Sequence, residues 1–191
     1  MILGATQLRT RMCGRSSLAA GLVLLVQSPV EPSWTSLPPG FLLGLDDGLA
    51  NPAVKSMGDL LAVLCERMQL AFRLRANATR RIDTKTQADG KRRHGKRVPV
   101  RGEEGRLAWL LRQGAANGFE LQRTENGQYD IVTREEPRSI GVRQGKRITF
   151  SGVRYDGTLT ITDALRFRGA VEAGIGPGKA YGFGLLSLKR L

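Results

Sequence analysis

The sequence predicts an α+β sandwich. Three observations carry this: apolar and basic residues alternate from Phe72 to Asn77, an apolar face at helical spacing runs through 102–117, and short strand-like segments fill 119–162 ahead of another helix. The implied order in the C-terminal half is α-β-β-β-α-β. At 191 residues and 41% apolar content, the chain can bury a core in one domain or two small packed ones.

Arg9, Arg11 and Arg15 precede an apolar stretch, Leu18 to Val26, in the basic-then-apolar order of a signal peptide. No small-x-small cleavage site follows, and the stretch is about half of the ~20 residues a spanning helix requires. A buried strand over 22–27 (LVLLVQ) is the better reading, stopped by Pro29 and Pro32 and followed by a Pro/Gly loop through Gly40. Phe41 to Leu45 extends an edge. From Asp59 to Leu70, the residues Leu60, Leu61, Val63, Leu64 and Met68 stand at near-helical spacing, in a helix so short that tertiary packing must hold it.

Phe72, Leu74 and Ala76 alternate with Arg73, Arg75 and Asn77, so this strand has one apolar and one basic face and its two arginines point the same way. Residues 83–95 are aperiodic and basic, which reads as a flexible loop between two half-chains, and Lys96 to Val100 resumes a strand. A helix from 102 to Asn117 follows, with Leu107, Leu110 and Leu111 on one face, Arg106 and Arg112 off it, and Gly118 as its stop. Phe119–Arg123, Tyr129–Arg134 and Lys146–Arg154 read as strands, with hairpin turns at Asn126-Gly127 and Asp156-Gly157, the second completed by Thr158–Thr162. Asp163 caps a final helix to Glu172, and Phe183–Leu188 is the last strand.

Thirty Lys and Arg against seventeen Asp and Glu give a formal charge of +13 and favour a polyanionic partner, nucleic acid first, over a neutral metabolite. The excess is local. Residues 73–112 carry thirteen basic and four acidic side chains, a net +9, whereas 16–72 carry two and five, a net −3. A solvated surface accounts for many charge runs, but this one sits among strand-like residues, as a binding face does. Two cysteines far apart, Cys13 and Cys65, with one histidine, cannot supply a four-ligand zinc site and are expected to be free thiols in a reducing cytoplasm. No metal, small-molecule cofactor or membrane is implied.

The segment Gly174-Ile-Gly-Pro-Gly-Lys-Ala-Tyr-Gly-Phe-Gly184 holds five glycines in eleven residues: Gly174, Gly176, Gly178, Gly182 and Gly184. A phosphate-binding P-loop is excluded, because Ala173 and Ala180 stand where glycine and Ser or Thr are required. The dinucleotide fingerprint fails too, with Lys179 or Tyr181 in its last glycine position. Two readings stay open: a loop whose amides and Lys179 approach phosphate, and a tight structural connection. Tyr181 is likewise either a base-stacking ring or a ring packed beside glycines.

GIGPGKAYGFGLLSL resembles the C-terminal glycine-rich loop and last strand of the CasE family, the repeat-RNA-processing endoribonucleases of type I-E CRISPR systems. LLVQSPVEPSW with LPPGFLL, FRLRANATRR, GKRVPV and EEGRLAWLLRQGAANGF resemble further stretches in the same order, so the likeness covers residues 18–191. It implies two tandem ferredoxin-like (RRM-like) domains, the first incomplete: a non-matching start at 1–17, an N-terminal remnant at 18–82, a basic loop at 83–95 and a C-terminal domain at 96–191. It also implies a CRISPR repeat RNA stem-loop as ligand, Cascade subunits as partners, and metal-independent cleavage by a ribose 2′-OH on the neighbouring phosphate.

The family's catalytic histidine and tyrosine lie near the N-terminus, and no His or Tyr occurs here before His94, the only histidine. His94, within RRHGKR, is the one general-base candidate; otherwise it is a solvated loop residue. For RNA contact the sequence nominates Arg73, Arg75, Arg92, Arg93, Lys96, Arg97 and Lys179, acting mainly on phosphates, with Lys146, Arg147 and Arg154 as weaker candidates. The function expected is repeat-RNA binding with processing of precursor RNA into guide RNA. The alternative is an RNA-holding or Cascade-assembly module that does not cut.

Overall fold

The computed structural model describes residues 4–10, 22–38, 53–82 and 96–191. It divides into two compact units, Met1–Val63 and Leu64–Leu191. In the first, β1 (Gly4–Thr10) pairs antiparallel with β2 (Leu22–Ser28) on one side and β3 (Ala53–Ser56) on the other, giving the order β2-β1-β3. The LVLLVQ segment is thus a strand as expected, with residues 4–10 as its neighbour, but at its described side chains it is not the buried strand expected: Leu25 is 45% exposed, and Val26 and Gln27 are half-buried. Helix α1 (Gly58–Val63) follows. The helix expected through Leu70 stops seven residues early, because Arg67 turns the chain through a left-handed conformation (φ 64°) and Gln69 enters a strand. Phe41–Leu45 lies outside the described residues.

The second unit contains β4 (Gln69–Ala76), a hairpin of β5 (Thr79–Ile82) and β6 (Lys96–Pro99), α2 (Glu103–Asn117), β7 (Phe119–Leu121), and β8 (Ile131–Glu135). A second hairpin of β9 (Ser139–Arg143) and β10 (Lys146–Phe150), then β11 (Val153–Ile161), α3 (Ala164–Ala173) and β12 (Leu186–Arg190) complete it. The sheet order is β12-β4-β11-β7, with β8 also pairing β11. Set aside the two hairpins, count β7 and β8 as one interrupted strand because both pair antiparallel with successive stretches of β11, and this is the βαββαβ arrangement of a ferredoxin-like unit. The chain is therefore α+β with ferredoxin-like units in tandem, the first incomplete among the described residues, which hold three strands and one short helix there.

The division falls at Val63/Leu64 rather than in the basic loop at 83–95. The reason is β4, which pairs with β11 from Gln69 to Ala76 and with β12 on its other edge, so the residues grouped above with the N-terminal remnant are the centre of the C-terminal sheet. The loop itself lies outside the described residues.

One face of the sheet is the core. Leu70, Phe72, Leu74 and Ala76 of β4 and Val153, Tyr155, Leu159 and Ile161 of β11 are buried, with Trp109 and Leu110 of α2 and Phe167, Ala170 and Val171 of α3. Trp109 stacks on Tyr155 with ring centroids 5.9 Å apart, and Phe119 meets Phe167 edge-on at 5.9 Å. Such pairs add about 0.5–1.5 kcal/mol each beyond the area they bury. The apolar stripe of α2 is centred on Trp109, Leu110 and Gly114, with Leu107 and Leu111 half-buried beside them. Gly118 ends α2 in the left-handed region, φ 74°. The Asp163 carboxylate accepts from the Arg166 amide at 2.9 Å, the cap expected for α3.

Asp156-Gly157 is not a turn. Strand β11 runs straight through it, pairing Gly157 with Phe72 on one side and Ile131 on the other. A Cβ on Gly157 would overlap the Asp130 carbonyl oxygen, so glycine is there for the close approach of the neighbouring strand. The second hairpin turns instead at Gln144-Gly145, both with positive φ (50° and 72°), which suits the primed turns of tight hairpins. The last strand begins at Leu186, three residues later than expected.

Candidate nucleic-acid interface

The strand register places the basic residues. On the sheet face opposite the helices, Arg75 of β4 stands directly across from Arg154 of β11, which stands across from Arg134 of β8. One step along, Arg73 pairs with Asp156, and Ser187 of β12 flanks it; Lys189 follows opposite Ala71. The alternation of β4 thus sends Arg73 and Arg75 to the same open face, as its period of two requires. Arg134 and Lys189 were not singled out in the sequence, and Arg154 only weakly, because their membership depends on cross-strand register.

Two carboxylates orient three of these arginines. Asp156 accepts from Arg73 Nε at 2.5 Å and from Arg154 Nε at 3.0 Å. Glu136 accepts from Arg75 Nε at 2.6 Å, and the Arg75 guanidinium also lies 4.4 Å above the Phe183 ring. Ion pairs this accessible are worth about 0–1 kcal/mol, so phosphate can displace the carboxylates while the guanidiniums are already in place.

The glycine-rich segment closes over the end of β4. Gly184 donates to Arg75 O at 2.7 Å and Ile175 to Gly184 O at 2.8 Å. The amides of Gly174, Tyr181, Gly182 and Phe183 also donate to main-chain carbonyls. A Cβ on Gly176 would stand 3.0 Å from the Trp109 ring. At these positions the segment is a packed connection rather than an anion cradle. Lys179 opens a three-residue 3-10 turn, Lys179–Tyr181, and is exposed.

Arg97 is exposed on the β5–β6 hairpin across from Arg81, also exposed. Lys96 contributes its backbone to β6. Between this hairpin and α2 runs a groove of about 570 Å³ lined by Arg80, Ile82, Val98, Arg101, Ala108 and Arg112. Arg92, Arg93 and His94 lie outside the described residues, as does Cys13, while Cys65 is an exposed free thiol. No histidine stands among the described residues, nor does any cluster of three His, Cys, Asp or Glu able to hold a metal ion. Among them no helix is long and apolar enough to cross a membrane.

Arg106 stands off the apolar stripe of α2, as expected, yet it is covered. Its side chain is only 14% exposed and pairs with Glu135. The Tyr155 hydroxyl donates to the Arg106 carbonyl at 3.4 Å. Burial pushes the Tyr155 phenol above its ordinary range, with the Arg106 charge opposing, so it stays protonated and serves the core rather than acting as a base.

The model of a family described as "CRISPR associated protein" matches residues 13–190. The CRISPR-associated endoribonuclease Cse3 of Thermus thermophilus is 31% identical over 188 residues, covering 94% of this chain and 80% of the relative. The CRISPR system Cascade subunit CasE of Escherichia coli is 36% identical over 124 residues, covering 64% and 58%. Among solved structures, Thermus thermophilus Cse3 bound to an RNA representing a pre-cleavage complex superposes with a TM-score of 0.67 at 29% identity, over 96% of this chain and 78% of that one. Crystalline Escherichia coli Cas6e superposes with a TM-score of 0.67 at 27% identity, over 98% and 84%. With the co-linear motifs, a matching fold and a family model spanning nearly its whole length, this chain belongs to the CRISPR-associated protein family that includes the CasE endoribonucleases.

Proposed function

We propose that this chain binds the stem-loop of CRISPR repeat RNA, processes precursor RNA into guide RNA, and stays with the product as a Cascade subunit in the cytoplasm. The observation that carries the reading is the Arg75–Arg154–Arg134 row on the open sheet face, in a chain whose relatives are a CRISPR endoribonuclease and a Cascade subunit. Arg73, Arg97 and Lys179 are exposed cations that add to this surface, and Arg92, Arg93 and Lys96 are candidates by residue type alone. Their contacts are with phosphates, so affinity falls steeply with salt.

Cleavage in this reading is attack of a ribose 2′-oxygen on the adjacent phosphorus, with departure of the 5′-oxygen, leaving a cyclic phosphate and a 5′-hydroxyl. Arginines stabilise the charge that develops on the phosphorane oxygens, so the reaction needs no metal. A proton acceptor near the 2′-hydroxyl is also required. His94, the only histidine, is the candidate for that role; the absence of any other histidine, and of a tyrosine before it, favours a second reading, an RNA-holding subunit that does not cut.

The test is incubation with labelled repeat RNA of the host in the presence of a chelator, resolving bound complex and product together. Binding with a cut at the stem base supports processing, and binding with intact RNA supports the holding subunit. Absence of both overturns the proposal.

A further inference from the structure

The open sheet face pairs its strands through arginines, and an aromatic platform stands at its edge. On β4 and β11 the open positions hold Arg73, Arg75, Arg154, Asp156 and Thr158, none able to stack a base as an aromatic ring does. Among the described residues, Tyr181 is the only exposed aromatic, at 41%. Its ring centroid lies 4.6 Å from that of Phe150, which lies 5.5 Å from that of Phe183. Arg75 covers the Phe183 ring, so one end of the arginine row meets the aromatic group directly. Beside them is a groove of about 240 Å³, lined by Arg75, Ile140, Ile148, Phe150, Tyr181 and Phe183.

We propose that this groove takes one unpaired base of the RNA, stacked on Tyr181, while the adjoining phosphates lie along Arg75, Arg154 and Arg134. The inference rests on the repeat-RNA reading above and refines it: the ligand is a stem-loop carrying a single-stranded flank, not a bare duplex. Three properties of the site fit that ligand. The groove's volume of about 240 Å³ suits one heterocycle rather than a nucleic-acid helix. Its walls are apolar, matching the faces of a base whose edge is already unpaired. The charges beside it are arginines, which follow a flexible backbone without demanding a sequence. Tyr181 is pre-positioned, since Phe150 packs on it and the 3-10 turn carrying it is closed by the Gly182 amide on the Lys179 carbonyl.

The test compares a repeat stem-loop carrying its single-stranded flanks with the same stem trimmed blunt. The native chain is expected to prefer the flanked RNA about tenfold, an amount consistent with one stacked base. In Tyr181→Leu the ratio of the two affinities falls to about one, and Tyr181→Phe, which keeps the ring, restores it. A 2-aminopurine in the flank, quenched when the native chain binds, reports stacking without any substitution. Equal affinity of the native chain for both RNAs, no quenching at any flank position, or a tenfold ratio retained in Tyr181→Leu overturns the stacking site. Failure of the native chain to bind either RNA overturns the repeat-RNA reading itself and is told apart by that result.

Discussion

Arg75 and Arg154 stand directly opposite one another on neighbouring strands, and each is held by a different carboxylate, Glu136 and Asp156. Two like charges in a non-core pair would repel, yet the carboxylates neutralise them in the free protein. In the proposed complex, RNA phosphates take over that role.

Removing Arg134 or Arg154 should therefore cost phosphate contacts and little else. Arg134→Gln and Arg154→Gln are each expected to weaken repeat-RNA binding several-fold and to lower the slope of log affinity against log salt by about 0.7–0.9. Fluorescence anisotropy titrations across a salt series read both quantities. An unchanged slope in the double variant would place the RNA elsewhere.

Glu136→Gln should act in the opposite direction. It leaves Arg75 over Phe183 without its carboxylate partner, and the affinity for RNA at low salt is expected to rise by about threefold. Stability should change by no more than about 1 kcal/mol, since Arg75 is 39% and Glu136 25% exposed and the pair is solvent-screened. Weaker binding in this variant would mean that Glu136 itself positions the RNA.

The fold was legible in sequence where a single local signal sufficed. The alternation Phe72–Asn77 named the strand and its basic face, and Asp163 and Gly118 marked helix ends through their caps. Legibility failed where two physical causes share one residue type. Asp156-Gly157 reads as a hairpin because glycine permits a turn, but glycine is equally required where Asp130 crowds a strand, as happens here. Likewise helical spacing sets Arg106 off the apolar face of α2, but its pairing with Glu135 of β8 and its 14% exposure depend on tertiary packing that no local pattern encodes. Of the site, Arg73 and Arg75 were readable from one strand, whereas Arg134 and Lys189 join it only through the register of β8 and β12, which no local pattern encodes.

The reading of Gly157 is tested by Gly157→Ala. Its methyl has no room against the Asp130 main chain, so the variant should lose about 1–3 kcal/mol by urea denaturation with an unaltered m-value. A native midpoint would show that the strands part freely there.

Tyr155 gives a pH signature. Its phenol is raised above the ordinary 10.0 by burial in the folded chain, and unfolding returns it to water. Its contribution to stability is intact below about pH 10 and is lost as pH climbs from there toward the folded value, at about 1.4 kcal/mol per pH unit. The native chain should thus lose stability faster than Tyr155→Phe above pH 10, with parallel curves below it. Parallel curves throughout would mean that Tyr155 is not buried in the native fold.

The central claim is recognition of repeat RNA rather than of RNA in general. The most direct measurement is competition, at physiological salt, between the labelled cognate repeat stem-loop and an unlabelled, unrelated hairpin of equal length and charge. The account predicts that the unrelated hairpin competes at least about tenfold less well than unlabelled repeat. Equal competition would reduce the basic face to a general polyanion surface and contradict the account.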